Sequence, residues 1–152
     1  MRVKIIENNN LNEDLVTIEC KEITQTILNV ANYIENYGLN IIGKLNGERY
    51  FVSLNDIYYF EAVDNKVFAY TKNEVYEVNY KIHEINDLFS KTFFVQISRT
   101  VILNIDKINR VSTLVNGRIL AVLINKEKQI ITRAYAHEFK QKLLTKGDSN
   151  NE

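Results

Sequence analysis

The stretch F-V-Q-I-S-R-T-V-I-L-N, from Phe94 to Asn104, places an arginine and two hydroxyl-bearing residues between two apolar runs. A second stretch, I-T-R-A-Y from Ile131 to Tyr135, again puts a threonine and an arginine after an apolar run. Arginine forks match the acceptor atoms of guanine and phosphate, and hydroxyl groups bond phosphate oxygens. Arginine and hydroxyl residues at the ends of strands are therefore suited to binding a polyanion.

The composition indicates one β-rich domain with a small extension. The chain has 152 residues, 45% of them hydrophobic, and its nine tyrosines and seven phenylalanines favour strands. The single cysteine, Cys20, excludes an intramolecular disulfide and a cysteine-rich zinc site, and it fits the reducing cytoplasm in which we expect the protein. No apolar run approaches the ~18 residues of a membrane span, and the N-terminus becomes acidic too early for a signal peptide.

The formal net charge of zero conceals a separation of charge along the chain. Residues 1–42 carry three basic and six acidic side chains, a net charge of −3, and residues 43–91 carry six and eight, a net charge of −2. Residues 92–146 carry ten basic and three acidic side chains, a net charge of +7. A basic segment in an otherwise acidic chain is a candidate anion-binding surface, and a solvated face with scattered charges is the alternative.

The N-terminal pattern predicts a β-β-α unit. Val3–Glu7 and Leu15–Glu19 have the composition of short strands, with an asparagine-rich loop between them. Apolar residues then recur at helical spacing over Lys21–Tyr37, and Gly38 stands where a helix C-cap is expected. We expect residues 1–40 to form an extension that is a candidate for dimerisation.

From Asn40 onward, short apolar runs and turn signals predict an antiparallel β fold. Asn46-Gly47, Asp64-Asn65 and Asn116-Gly117 are the turn signals. The predicted strands are Ile41–Leu45, Arg49–Leu54, Ile57–Glu61, Lys66–Thr71, Val75–Val78, Phe94–Ser98, Lys107–Leu114, Arg118–Ile124 and Gln129–Thr132. Short helices are predicted at Tyr80–Phe89 and Ala134–Leu144. The fold class is thus mainly β, α+β overall, with a domain at 41–146 and a disordered tail at 147–152.

Several motifs in a fixed order resemble a LytTR-type DNA-binding domain. I-Y-Y-F-E-A-V-D-N-K-V at Ile57–Val67 is similar to the family's opening strand, I-x-Y-I-E-A, and its turn. The helix near Ile82–Phe89 is similar to L-x-x-L-E-x-x-L. The stretch Phe94–Asn104 resembles F-x-R-I-H-R-S-x-I-V-N, and I-D-K-I follows where the family has I-x-x-I.

The final part of the resemblance is the Asn116-Gly117 turn, followed by I-I-T-R-A-Y at Ile130–Tyr135, which is similar to I-x-V-S-R-x-Y, and a closing helix. The resemblance covers Ile57–Leu144 together with the strand pair that begins at Ile41. It implies small antiparallel β-sheets whose loops and strand ends enter neighbouring major grooves from one side of the duplex. The implied DNA-contacting positions are Asp64, Asn65, Lys66, Ser98, Arg99, Thr100, Thr132 and Arg133.

Two residues depart from the family's pattern. Gln96 and Ser98 stand where the family usually carries arginine and histidine, which weakens the electrostatics of that loop. Other basic residues are candidates for phosphate contact, although lysines on exposed strands also protect against edge pairing. These candidates are Lys107, Arg110, Arg118, Lys126 and Lys128.

The resemblance implies a bacterial transcriptional regulator that binds double-stranded DNA, with direct repeats as its sites. Residues 1–38 are far too short for a phosphoacceptor receiver domain, so we expect none. A homodimer is the expected assembly, and the resemblance also implies a small membrane protein as a possible regulator. We expect no cofactor, no metal and no small-molecule substrate.

The main alternative is a β-rich protein-interaction module, an anti-regulator or scaffold, that does not bind DNA. It would be favoured if Arg99 and Arg133 were buried in ion pairs with Glu61 or Asp64. An enzyme is not expected, because the chain has no Walker loop, G-x-S-x-G or H-E-x-x-H motif. His83 and His137 are interpreted as surface residues, Asn104 as structural, and Cys20 as a buried, inert thiol.

Overall fold

The computed structural model describes the backbone of residues 1–148 and the side chains up to Thr145. It contains three α-helices, α1 (Gln25–Glu35), α2 (Ile82–Phe89) and α3 (Arg133–Asp148). Ten strands account for most of the remaining chain after α1: β1 (Asn40–Leu45), β2 (Glu48–Ser53), β3 (Ile57–Val63), β4 (Lys66–Thr71), β5 (Val75–Val78), β6 (Phe94–Gln96), β7 (Val101–Asn104), β8 (Ile108–Thr113), β9 (Ile119–Leu123) and β10 (Lys128–Ile131).

The strands form two antiparallel sheets. The larger sheet has seven strands in the order β2-β1-β5-β4-β3-β7-β6, and the smaller has three in the order β10-β9-β8. Tight turns of the predicted kind connect neighbouring strands. Asp64 and Asn65 have φ values of 50° and 65°, and Asn46 and Gly47 have φ values of 52° and 80°. Positive φ at both central residues defines a type I′ turn, whose twist matches that of the flanking strands.

The core lies between the sheets and the helices α2 and α3. Phe60 on β3 and Phe94 on β6 are almost fully buried, and their ring centroids are 5.2 Å apart. Ile85 from α2 and Phe139 from α3 have no exposed surface, so both helices contribute to this core. Burying side chains of this size stabilises the fold by about 1.5–3 kcal/mol each relative to exposure.

Asn104 at the end of β7 fixes the path of the chain, as expected from its sequence position. Its side chain is 1% exposed; Nδ2 donates to the Ile57 carbonyl oxygen at 2.8 Å, and Oδ1 accepts from the Asp106 amide at 2.9 Å. A buried amide with both ends satisfied is compatible with the core.

The fold class is confirmed, and the differences lie in a few elements. β7 was not predicted as a separate strand, because it is only four residues long and directly follows a polar loop. α3 continues to Asp148, so the predicted disordered tail at 147–152 begins inside a helix, and residues 149–152 lie outside the described residues. No described helix is long and apolar enough to cross a membrane. The domain boundaries remain a prediction.

The prediction of strands at Val3–Glu7 and Leu15–Glu19 is wrong for the single chain. Residues 1–24 contain no strand or helix, because no strand of the described chain lies beside them to pair with their backbone groups. The predicted helix is present as α1 but begins later, where the Thr24 hydroxyl accepts from the Ile27 amide at 3.3 Å. Cys20 belongs to the same unpaired segment and is exposed, so its predicted burial is also wrong.

Candidate nucleic-acid interface

Antiparallel pairing brings the β3–β4 turn and the β6–β7 loop to the same end of the large sheet. β3 pairs with β7 through Glu61 and Val101, and the Ala62 amide donates to the Thr100 carbonyl oxygen at 2.8 Å. The turn residues Asp64 and Asn65 follow directly. Two of the three predicted contact regions are therefore neighbours.

The third predicted region, the junction of β10 and α3, is attached to the same loop. The Thr132 amide donates to the Ile97 carbonyl oxygen at 3.0 Å, and the Thr132 hydroxyl donates to the same oxygen at 3.3 Å. Arg133 is the first residue of α3, so it stands beside the loop that carries Arg99. Backbone and side-chain hydrogen bonds thus hold the two arginine-bearing segments together.

A fourth segment, the β8–β9 turn, also lies at this end. Thr113 on β8 and Ile131 on β10 both pair with Ile119 on β9, so the turn stands beside the junction that carries Arg133. Gly117 has a φ of 74°, and a Cβ added there would lie 3.1 Å from Cγ of Arg133. The arginine side chain therefore packs directly over this glycine.

Sequence reasoning included only Arg118 from this turn, and only as a phosphate contact. The position of this turn follows from the Asn-Gly signal and the order of the strands, because every second connection between antiparallel strands lies at the same end of the sheet. We call the four segments together the arginine edge: residues 64–66, 98–100, 116–118 and 132–133.

The loop that presents Arg99 is organised by its own polar side chains. The hydroxyl oxygen of Ser98 accepts from the Thr100 and Val101 amides at 3.2 Å and 3.1 Å. The side-chain amide of Gln96 donates to the Ser98 carbonyl oxygen at 2.9 Å. The two residues that depart from the family's pattern therefore stabilise the conformation of the loop. Ser98 is half-buried, whereas Arg99 and Thr100 are exposed.

The arginines of the edge are available to a ligand. Arg99 and Arg133 are exposed, and neither forms an ion pair within the described residues, where the single ion pair joins Lys66 and Glu77. The Lys66–Glu77 distance is 3.8 Å between partly exposed groups, an arrangement that contributes little to stability. The burial of both arginines against Glu61 or Asp64, which would have favoured the protein-interaction alternative, is absent from this part of the chain.

The remaining phosphate-contact candidates are spread over the molecule. Lys107 lies at the opposite end of β7, with its Nζ 5.0 Å from the centroid of the Tyr58 ring. Lys126 lies in the β9–β10 turn, at the end of the small sheet opposite Arg133. Arg110 and Lys128 both pair with Val122 on β9 and are exposed on the strands that flank it. Only Arg118 lies in the arginine edge.

The histidines and carboxylates of the described residues form no cluster that could hold a metal ion. His83 and His137 are both exposed, as expected. No group of three or more His, Cys, Asp or Glu side chains in residues 1–148 is arranged to hold a metal ion.

Fold and surface together define an antiparallel β domain that presents arginines from loops at one end. Strands separate each α-helix from the next along residues 1–148, so this part of the chain contains no helix-turn-helix. The model of the LytTr DNA-binding domain family matches residues 47–144. The chain belongs to this family of DNA-binding domains.

The similarity to individual proteins is consistent with membership of this family. The sensory transduction protein LytT of Enterococcus faecalis is 29% identical over 94 residues, which are 62% of this chain and 39% of that protein. The chain therefore spans well under half of that relative. An uncharacterized HTH-type transcriptional regulator of Staphylococcus aureus (strain NCTC 8325 / PS 47) is 20% identical over 145 residues, covering 94% of this chain and 98% of the regulator.

A solved structure has the same fold. It is the LytTr DNA-binding domain of a putative methyl-accepting/DNA response regulator from Bacillus cereus, with a TM-score of 0.65 and 22% identity. The match covers 70% of this chain and 98% of that domain. The Staphylococcus match, by contrast, extends over 94% of this chain, so the additional N-terminal region has a counterpart there.

Proposed function

We propose that this chain is a transcriptional regulator that binds double-stranded DNA in a sequence-specific manner through the arginine edge. The observation that carries the proposal is the placement of Arg99 and Arg133. Both are exposed and without an ion pair in the described chain, and the Thr132–Ile97 hydrogen bonds hold their segments side by side. Membership of a DNA-binding family and the regulator names of the relatives support it.

Two kinds of contact, to phosphates and to bases, would contribute to DNA binding. The basic side chains at the arginine edge, Lys66 and Arg118 among them, would supply a phosphate term that weakens as salt rises. Arg99 and Arg133 supply base readout, each worth roughly 1–3 kcal/mol when it bonds one base in a bidentate manner. Asn65, Lys66, Thr100, Thr132 and Arg118 are then contacts that position the domain on the sugar-phosphate backbone.

Ser98 has a different role in this proposal. Its hydroxyl oxygen already accepts two backbone amides of its own loop. We therefore assign it to holding the Arg99 loop in shape, with at most one further hydrogen bond from its hydroxyl to DNA.

We further propose that copies of the chain associate and occupy direct repeats side by side. The acidic N-terminal region, whose apolar side chains are exposed, supports self-association. Regulation by a small membrane protein stays a prediction of the family resemblance.

The rival proposal, a protein-interaction module, is disfavoured by the same two arginines. Two exposed guanidinium groups without ion pairs, placed together at one end of a rigid sheet, favour an anionic ligand over a protein-interaction module.

A mobility-shift assay with duplexes selected from a random pool, repeated over a salt series, tests the proposed function. We expect one enriched sequence and an affinity that falls steeply and log-linearly with salt. The proposed function fails if every duplex binds more weakly than about millimolar at low salt.

Replacing Arg133 separates base readout from general charge. Arg133→Ala should weaken binding to the enriched duplex by about tenfold or more, and by much less on unrelated duplexes. Arg49→Ala is the matched control, because Arg49 is exposed on β2, the edge strand remote from β7. Unchanged selectivity in Arg133→Ala would remove this residue from the recognition surface.

A further inference from the structure

The single ion pair of the described residues lies at the rim of the arginine edge. It joins Nζ of Lys66, the first residue of β4, to Oε1 of Glu77 on β5 at a distance of 3.8 Å. Lys66 is also one of the residues proposed to contact the sugar-phosphate backbone of DNA. In the free protein, a carboxylate therefore neutralises a positive charge that DNA binding would use.

The register of the strands places Lys66 and Glu77 on the same face of the large sheet. Glu77 pairs with Phe68 on β4, and Lys66 precedes Phe68 by two residues. Side chains two residues apart on a strand point to the same face, so Lys66 and Glu77 are diagonal neighbours on adjacent strands. Long side chains can meet across this diagonal spacing.

Two further charged residues project from this face. Glu61 on β3 pairs with Phe68 from the side opposite Glu77, and Lys44 on β1 pairs with Glu77. Neither Glu61 nor Lys44 forms an ion pair within the described part of the chain. Glu77 is therefore the carboxylate that holds Lys66, although a second acidic and a second basic side chain lie on the same face.

The ion pair is open to exchange with a ligand. The side chains of Lys66 and Glu77 are 61% and 39% exposed. An ion pair between solvated groups contributes little to stability, and a lysine ammonium group on its flexible stem can bond a phosphate oxygen as well as a carboxylate oxygen. The lysine can therefore move from Glu77 to a phosphate without disturbing the sheet.

We propose that Glu77 is a positioning residue for Lys66 that limits the affinity of the protein for DNA. Glu77 holds the lysine in the free protein, and the lysine leaves it for a phosphate of the bound duplex. Breaking the ion pair offsets part of the gain from the new phosphate contact. Because phosphates carry no sequence information, Glu77 lowers the affinity for every duplex alike and leaves the sequence preference unchanged. This inference rests on the proposed function.

Fluorescence anisotropy with the selected duplex and an unrelated duplex tests the role of Glu77. Glu77→Gln keeps the shape of the side chain but removes its charge, and it should bind both duplexes about twofold to fivefold more tightly. The gain should shrink as salt rises, because salt screens both the ion pair and the phosphate contact. Glu74→Gln is the matched control: Glu74 is exposed just before the opposite end of β5, and its replacement should leave the affinity unchanged.

A double-mutant cycle with Lys66→Met shows whether Glu77 acts through the lysine. In the Lys66→Met background, Glu77→Gln should give little or no gain in affinity, because the ion pair that it would break is already absent. Urea unfolding of both single variants should match that of the wild type, since an exposed ion pair adds little to stability. Matching unfolding would show that the changed affinity does not come from a damaged fold.

The outcomes keep this inference apart from the proposed function. Unchanged affinity in Glu77→Gln, a gain confined to the selected duplex, or an equal gain with and without Lys66 would each overturn the inference while the proposed function stands. An equal gain in both backgrounds would mean that Glu77 repels DNA directly. If the wild type and all variants fail to bind any duplex, the proposed function is refuted and the role of Glu77 with it.

Discussion

Ser98 holds in shape the loop that presents Arg99. Its hydroxyl oxygen accepts two backbone amides, and Gln96 donates to its carbonyl oxygen, so three hydrogen bonds hold a tight loop around Arg99. A loop that is ordered before binding loses less entropy when it meets DNA. We therefore propose that Ser98 orders the Arg99 loop before DNA binds.

Ser98→Ala should therefore weaken DNA binding through the conformation of the loop. We expect about threefold to tenfold lower affinity, and a loss of about 1 kcal/mol in the free energy of unfolding, because two amides lose their acceptor. Fluorescence anisotropy and urea unfolding measure the two effects. Ser112→Ala on the exposed surface of β8 is the control and should change neither quantity. Wild-type affinity in Ser98→Ala would contradict the assigned role.

At the residue scale, the sequence indicates candidates where local chemistry decides and misses features that depend on distant partners. Arg99 and Arg133 were chosen as candidates for DNA contact because arginine beside hydroxyl residues is a local pattern, and that assignment stays a prediction. The packing of Arg133 over Gly117 was not predicted, because it depends on how β8, β9 and β10 are aligned. Cys20 was expected to be buried, yet the segment around it has nothing to pack against in a single chain.

At the scale of elements, the two sheets meet at Tyr59. This residue lies on β3, stacks on Tyr70 with ring centroids 4.4 Å apart, and is 7% exposed. Burial raises the pKa of the Tyr59 phenol above its ordinary value of 10.0, and the negative charge of Glu127 from the β9–β10 turn raises it further. The neutral phenol is therefore the form that the folded state prefers.

This preference predicts a loss of stability in alkali. Above pH 10 the phenol ionises in the unfolded chain before it does so in the folded one, so the unfolded state binds fewer protons and the free energy of unfolding falls as pH rises. Below pH 10 the stabilisation is fully present. Tyr59→Phe should reduce the slope of stability against pH above 10 in urea unfolding, whereas Tyr33→Phe, an exposed residue on α1, should not. Equal alkaline slopes in Tyr59→Phe and the wild type would contradict this account.

Strands with strong turn signals could be predicted almost completely from the sequence. β4 and β5 have the predicted bounds, and the Asp64-Asn65 turn marks the start of β4. The absence of strands in the N-terminal segment could not be predicted from turn signals. Their composition favours strands, but a strand forms only with a partner, and the single chain provides none.

At the scale of the whole molecule, the two ends have different chemistry. Helix α1 lies beside Asp106 at one end of β7, and the arginine edge lies at the other. Association of copies through α1, as proposed, would leave the arginine edge free to bind a duplex.

The claim that one edge of the molecule binds DNA is tested most directly by amide chemical shifts of the isotope-labelled protein during titration with the selected duplex. We predict that the largest changes fall in residues 64–66, 98–100, 116–118 and 132–133, while Lys107, Lys126 and strand β2 stay near their free positions. Large changes around Lys107 and Lys126, with the arginine edge unaffected, would contradict the account.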